Sequence, residues 1–325
     1  MRFISALFLL VVCNQCAVVA AQFSQQRPLV ESLPTEYRAS VLWSANHEAG
    51  DLHEWDCPDA KYPGGGVLNT GPNDQIIARA SRTHAFTGEF AAEATIHGAI
   101  RARNGNRAVR LMRWTEKPWD EGGAYFPKDA FYSVWMFVPK KYSSKKRAPW
   151  DPGDGGWWNV FQFKANDSND TSFPTWSLNL HFNEKTNEME FGLFSEINDS
   201  RSVDSAVPKP VPVGRWFHLE ARYRVSATNT GHIDVWQDGE LLLTAANVKT
   251  AITPENENVV WGVGNYTNHV AGGSIEGSAT LYFDDAIIST KPMHEAIAKI
   301  DWIKFRDGNA TAIQATVSQP TPSTN

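Results

Sequence analysis

Cysteine is almost missing from this chain: 325 residues carry three. Two of these, Cys13 and Cys16, lie inside residues 1–21, so a product without that segment keeps Cys57 alone. No internal disulfide is then possible, and packing has to hold the fold. Long apolar runs are equally scarce. The clearest covers residues 3–12, too short to cross a hydrocarbon layer of about 30 Å. With Arg2 before it and the small residues Val19-Ala20-Ala21 after it, it reads as a secretory signal cleaved before Gln22. The expectation is a secreted, extracellular protein with no membrane anchor. An excess of positive charge is also lacking: 30 Lys+Arg stand against 36 Asp+Glu, a net charge of −6 that becomes −7 once Arg2 is removed. That balance argues against a bulk nucleic-acid binder. There is no internal repeat, no Gly-x-Ser-x-Gly elbow, no phosphate-binding Gly-rich loop with Lys-Ser/Thr and no His-Glu-x-x-His helix. Gly64-Gly65-Gly66 follows no clear strand and reads as a loop.

Aromatic residues are what the chain has in excess. Thirteen Trp accompany 8 Tyr and 17 Phe, about three times the usual share of Trp. Flat rings that stack on sugars produce such a count, and so does a Trp-rich core. Five Asn-x-Ser/Thr triplets, at Asn166, Asn169, Asn198, Asn265 and Asn309, predict exposed loops in a glycosylating host.

Between residues 43 and 290 short alternating segments are broken by Gly, Pro, Asn and Asp, which reads as a single all-β sandwich. The predicted strands cover 108–114, 131–138, 158–164, 176–182, 189–194, 216–225, 232–237, 241–244, 259–263 and 280–288. Asp238-Gly239 is a tight hairpin signal, because both central positions of such a turn need positive φ. Residues 22–42 form an N-terminal segment, 292–305 a short helix, and the Pro/Ser/Thr-rich end a disordered tail within 291–325.

Alternation then sorts the faces. In 216–225 the apolar set Phe217, Leu219, Ala221 and Tyr223 opposes His218, Glu220, Arg222 and Arg224, which predicts a solvated outer face. Strands 158–164 and 176–182 predict a shared polar face bearing Trp158, Gln162, Lys164, Asn179 and His181, the floor of a sugar-binding cleft. An ordinary solvated sheet face has the same pattern.

The runs Ala124-Tyr-Phe-Pro-Lys-Asp-Ala-Phe-Tyr-Ser-Val-Trp-Met-Phe-Val-Pro139, Trp157-Trp-Asn-Val-Phe-Gln-Phe-Lys164, Trp216-Phe-His-Leu-Glu220 and Tyr282-Phe-Asp-Asp-Ala286 resemble the heparin lyase I-like and glucuronan lyase-like group. The resemblance implies a concanavalin A-like β-jelly roll of two antiparallel sheets, and polysaccharide lyase action on an acidic polysaccharide. It places Gln162-Phe163-Lys164 on the strand where such lyases carry a Gln-x-His or Gln-x-Lys pattern. Here Lys164 stands where His is frequent.

β-Elimination from a uronate requires neutralising the carboxylate, taking the α-proton and protonating the leaving oxygen. Gln162, Asn179 and Arg113 are the candidates for the first role. His181, Lys164 and Tyr266 are the candidates for the proton transfers. Trp158 and Arg110 are expected to bind substrate. Basic runs support an acidic ligand: Arg101, Arg103, Arg107, Arg110 and Arg113 in one stretch, Lys140, Lys141, Lys145, Lys146 and Arg147 in another. The segment His47-Glu-Ala-Gly-Asp-Leu-His-Glu-Trp55 is similar to the opening of many carbohydrate-active jelly rolls. That similarity implies a structural Ca²⁺ held by Glu48 and Asp284, with Asp51 or Asp285 as substitutes. No organic cofactor, no nucleic acid and a monomer are expected. A non-catalytic lectin-like module is the rival reading. A hydrolase would need two carboxylates across the cleft, for which Glu188-Met-Glu190 is the nearest match.

Overall fold

A computed structural model describes residues 29–55, 67–70, 76–97, 107–113, 127–143, 158–165, 174–183, 185–253, 259–267 and 278–302. The leader, Cys57, the glycine triplet, Asn166, Asn169, Asn309, the 145–147 basic cluster and most of the 101–107 arginines lie outside them. Two short helices, α1 (Leu29–Ser32) and α2 (Thr35–Arg38), precede fifteen described strands: β1 (Val41–Ala45), β2 (Val67–Thr70), β3 (Ile76–Ser81), β4 (Ala91–His97), β5 (Arg107–Arg113), β6 (Asp129–Phe137), β7 (Trp158–Ala165), β8 (Pro174–Phe182), β9 (Met189–Ser195), β10 (Arg201–Asp204), β11 (Trp216–Arg224), β12 (Gly231–Gln237), β13 (Glu240–Val248), β14 (Val259–Thr267) and β15 (Ser278–Ser289). A last short helix, α3, spans Met293–Ile297. No helix among the described residues is long and apolar enough to cross a membrane.

The strands form two antiparallel sheets. The eight-stranded sheet runs β13-β12-β11-β6-β15-β4-β3 with β1 on β15, and the seven-stranded sheet runs β10-β9-β8-β7-β14-β5-β2. This is the all-β sandwich that the alternation predicted, with the jelly-roll form that the resemblance implied. The hairpin between β12 and β13 forms where expected, with Asp238 at φ 52° and Gly239 at φ 79°. Alternation missed β4, Ala91-Ala-Glu-Ala-Thr-Ile-His97, because it is alanine-rich and covered on both faces except at His97, so it presents no polar-apolar period.

The aromatic excess is largely a core property. Trp55, Trp158, Trp176 and Trp261 are among the largest fully buried side chains. Between the sheets, Phe163 stacks on Tyr223 at 3.8 Å and meets Tyr132 edge-on at 5.0 Å. Asn265 ties the sheets together: Trp158 Nε1 donates to its Oδ1 at 2.8 Å, and its Nδ2 donates to the carbonyls of Ala94 at 2.9 Å and Ala279 at 2.7 Å.

The outer face of β11 corrects the expectation of solvent. His218 and Glu220 are both buried, because α3 lies over them. The Glu220 carboxylate accepts the amides of Met293 at 2.9 Å and His294 at 2.6 Å, and lies 3.2 Å from His294 Nδ1. It thereby caps the start of α3. A satellite cluster of Leu29, Leu33, Tyr37, Trp135, Ile287, Met293 and Ala296 joins the N-terminal helices, α3 and the back of this sheet.

Candidate active site

The side of the seven-stranded sheet turned away from the other sheet is fixed by its register. Tyr266 of β14 pairs with Ala108 of β5 and Asn159 of β7; Asn159 pairs with Asn179 of β8, and Asn179 with Gly192 of β9. The adjacent row is Met112, Gly262, Gln162 and Ser177, with Arg110 beside Gly264 between the two. The floor is low at β14 because Gly262 has no room for a side chain: a Cβ there would lie 2.2 Å from Met112 Sδ.

Arg110 lies over the Tyr266 ring, 4.3 Å from its centroid. Burial lowers the guanidinium pKa, and its interaction with the phenol opposes that. Gln162 is buried, with Nε2 3.7 Å from Met112 Sδ. Asn159 Nδ2 donates to Asn179 Oδ1 at 3.0 Å. Arg110, Tyr266, Asn179 and Gln162 therefore lie in these two rows and the position between them. Lys164 and His181 lie on the same face but at opposite ends of it. Their rows are three two-residue steps apart, about 20 Å at the usual rise of a strand. Lys164 is buried. His181 is about one-third exposed, and its Nε2 lies 3.9 Å from Asp204 Oδ1. Glu190, beside His181 in the ladder, accepts both oxygens' bonds from Asn183 Nδ2 at 3.1 and 3.0 Å; its neighbour Glu188 is exposed.

Two expected members of the site lie elsewhere. Trp158 is a core residue, fully buried against Tyr142 at 5.2 Å. Simple alternation misplaces it because Val160 is bulged out of the β7–β8 ladder, and one extra residue swaps the two faces of a strand. Arg113 pairs with the core residue Trp261 and lies 5.7 Å from the Trp43 ring, on the side turned away from the cleft. Asn265, whose Asn-x-Thr triplet was expected on a loop crowding Tyr266, is wholly buried between the sheets. Asn159 was missed for the same reason that Trp158 was misplaced: unbroken alternation puts it in the core.

The proposed calcium ligands lie in a second cluster, in which Asp284 and Asp285 are buried and Glu48 is partly exposed. Glu48 accepts the amides of Glu89 at 3.0 Å and Phe90 at 2.9 Å. A Cβ on Gly88, at φ 63°, would lie 2.2 Å from the Glu48 carboxylate carbon. Asp284 accepts the amides of Phe86 at 2.8 Å and Thr87 at 3.2 Å, and Asp285 accepts the Thr87 hydroxyl at 2.7 Å. Burial raises the pKa of both aspartates, and the Glu48 charge adds to it. These hard oxygens, with mutually repelling charges, fit calcium chemically. Among the described residues, however, no three His, Cys, Asp or Glu side chains form a metal-holding group. Asp51 turns to His53 at 2.9 Å.

Among solved structures, the endo-β-1,4-glucuronan lyase of the fungus Trichoderma reesei is similar at a TM-score of 0.53 and 16% identity, covering 78% of this chain and 96% of that one. The marine PL-14 alginate lyase of Aplysia kurodai reaches 0.45 at 12% identity, covering 78% and 100%, and the alginate lyase of Klebsiella pneumoniae 0.42 at 11%, covering 69% and 87%. No curated protein sequence matches. The family model described as polysaccharide lyase matches residues 48–286, which is most of the chain and all of the cleft: the chain belongs to the polysaccharide lyase family.

Proposed function

We propose that the chain is a secreted enzyme that cleaves a uronic-acid-containing polysaccharide by β-elimination in the cleft of the seven-stranded sheet. The observation that carries this reading is the grouping of one guanidinium, one phenol and two amides, Arg110, Tyr266, Asn179 and Gln162, over a floor lowered by glycine. Arg110 and the amide N–H groups of Asn179 and Gln162 take the uronate carboxylate and hold the negative charge that spreads onto it as the α-proton leaves. Tyr266 is central enough to exchange protons with the reacting ring. The electron pair of the C5–H bond forms the C4=C5 double bond, the C4–O bond breaks, and its oxygen leaves with a proton. Lys164 and His181, at opposite ends of the face, contact the polymer on either side of the reacting sugar. The burial of Trp158 takes away one of the rings on which a lectin-like cleft would stack sugars. Glu48 and Asp284 would hold a structural calcium that screens their charges at the Phe86–Phe90 loop, with no part in the elimination.

The test is ultraviolet absorbance of the unsaturated uronate during incubation with glucuronan, alginate, heparin, chondroitin and pectate, with and without calcium. A rise with one polymer names the substrate. A flat trace with all of them, from folded protein, refutes the reading.

A further inference from the structure

Strand β7 changes faces within three residues. Trp158 pairs with Leu180 and Asn159 with Asn179, but the next pair is Phe161 with Leu178, so Val160 has no opposite number on β8. Bulges next to active sites re-aim side chains, and this one has a definite result. It sends Trp158 into the core and turns Asn159 onto the cleft face shared with Gln162. Asn159 is only 4% exposed, and its Nδ2 donates to Asn179 Oδ1 at 3.0 Å.

A primary amide has one accepting end and one donating end, so that bond decides which end of Asn179 is offered to a ligand. With Oδ1 committed to β7, the NH₂ group turns away from it, and it has no hydrogen-bond partner among the described residues. The next strand presents Gly192 at this row, where a Cβ would come within 3.0 Å of both the His181 ring and Asp204 Oδ1, so those two side chains lie over the glycine. Without Asn159 both amide orientations become accessible, and one of them sets a carbonyl oxygen against the substrate carboxylate.

We propose that Asn159 is a positioning residue of the elimination, holding the Asn179 amide with its NH₂ end toward the carboxylate of the reacting uronate. The proposal rests on the β-elimination reading. Loss of orientation in Asn159→Ala should lower kcat by about 10- to 100-fold, with the smaller change in KM because the carboxylate charge grows in the transition state. Asn159→Asp, isosteric but without the donor, should reverse the Asn179 amide and cost at least as much. On a methyl-esterified polyuronate, whose ester carries no charge, the Asp penalty should shrink by about tenfold or more.

The deciding measurement is kcat for Asn159→Ala, Asn179→Ala and the double variant on the polymer found above, with thermal melts run alongside. The double variant should match Asn179→Ala, because Asn159 acts through it. A double variant well below Asn179→Ala, an Asn159→Asp enzyme as fast as wild type, or loss of the fold in both Asn159 variants would each overturn the proposal while leaving an active wild type as evidence for the lyase reading. A wild type silent on every polymer would instead overturn both.

Discussion

Asn265→Leu should be one of the most damaging single changes in the molecule, although it replaces a polar group with an apolar one of similar size in a core. Asn265 is fully buried and makes three hydrogen bonds: one accepted from Trp158 Nε1, and two donated to carbonyls of the opposite sheet. Leucine keeps the volume and loses all three. At about 1 kcal/mol net per bond, plus 1–3 kcal/mol for an indole N–H left buried without an acceptor, the cost comes to about 4–6 kcal/mol. For a domain of this size that corresponds to a melting point lower by about 10 °C. Calorimetry and urea unfolding of the folded variant measure it, and a loss under about 1 kcal/mol would refute the idea that this amide crosslinks the sheets. The same burial predicts that folded protein secreted from a glycosylating host carries no glycan at Asn265, despite its Asn-Tyr-Thr triplet. Peptide mass spectrometry that finds one there would contradict the structure outright.

Three further outcomes follow. Tyr266→Phe, which keeps the ring under Arg110 but removes the phenol oxygen, should lower kcat by about a hundredfold or more with an unchanged melting point; an enzyme of near-normal rate would exclude Tyr266 from proton transfer. Burial lowers the His294 pKa, but the hydrogen bond and charge of Glu220 outweigh it and the net shift is upward. Its contribution to stability is therefore complete below the unfolded pKa of about 6.5 and fades as pH rises through the folded value. Asn in its place should be destabilising at pH 6 and much less so above pH 8, and a pH-independent difference would count against the pair. Chelation with EDTA should lower the melting point and added calcium restore it, whereas a melt indifferent to both would remove calcium from Glu48 and Asp284.

The contrast between Gln162 and Trp158 marks where local pattern stops being informative. Both lie on one strand and both were assigned to the cleft by counting residues in twos; the first is there and the second is in the core. The count is valid only while every residue has a partner, and the bulge at Val160 is a property of how β7 meets β8 and β14. Arg113 shows the same limit differently: its charge suggested the cleft, yet its partner in the ladder is the core residue Trp261. His218 and Glu220 have the alternation of a solvated face, and nothing local says that α3, more than seventy residues later, will cover it.

The chain by itself determined the class of fold, most of the strands after residue 107, the Asp238-Gly239 turn, and the face of Gln162 and Asn179. These depend on side-chain periodicity and on backbone preferences that neighbouring residues set. Tertiary structure alone decided that Arg110 stacks on Tyr266, that Asn159 reaches the cleft and Trp158 does not, and that Asn265 is a buried tie between sheets. Each of those depends on the register and spacing of strands far apart in the chain, which are settled only when the two sheets pack.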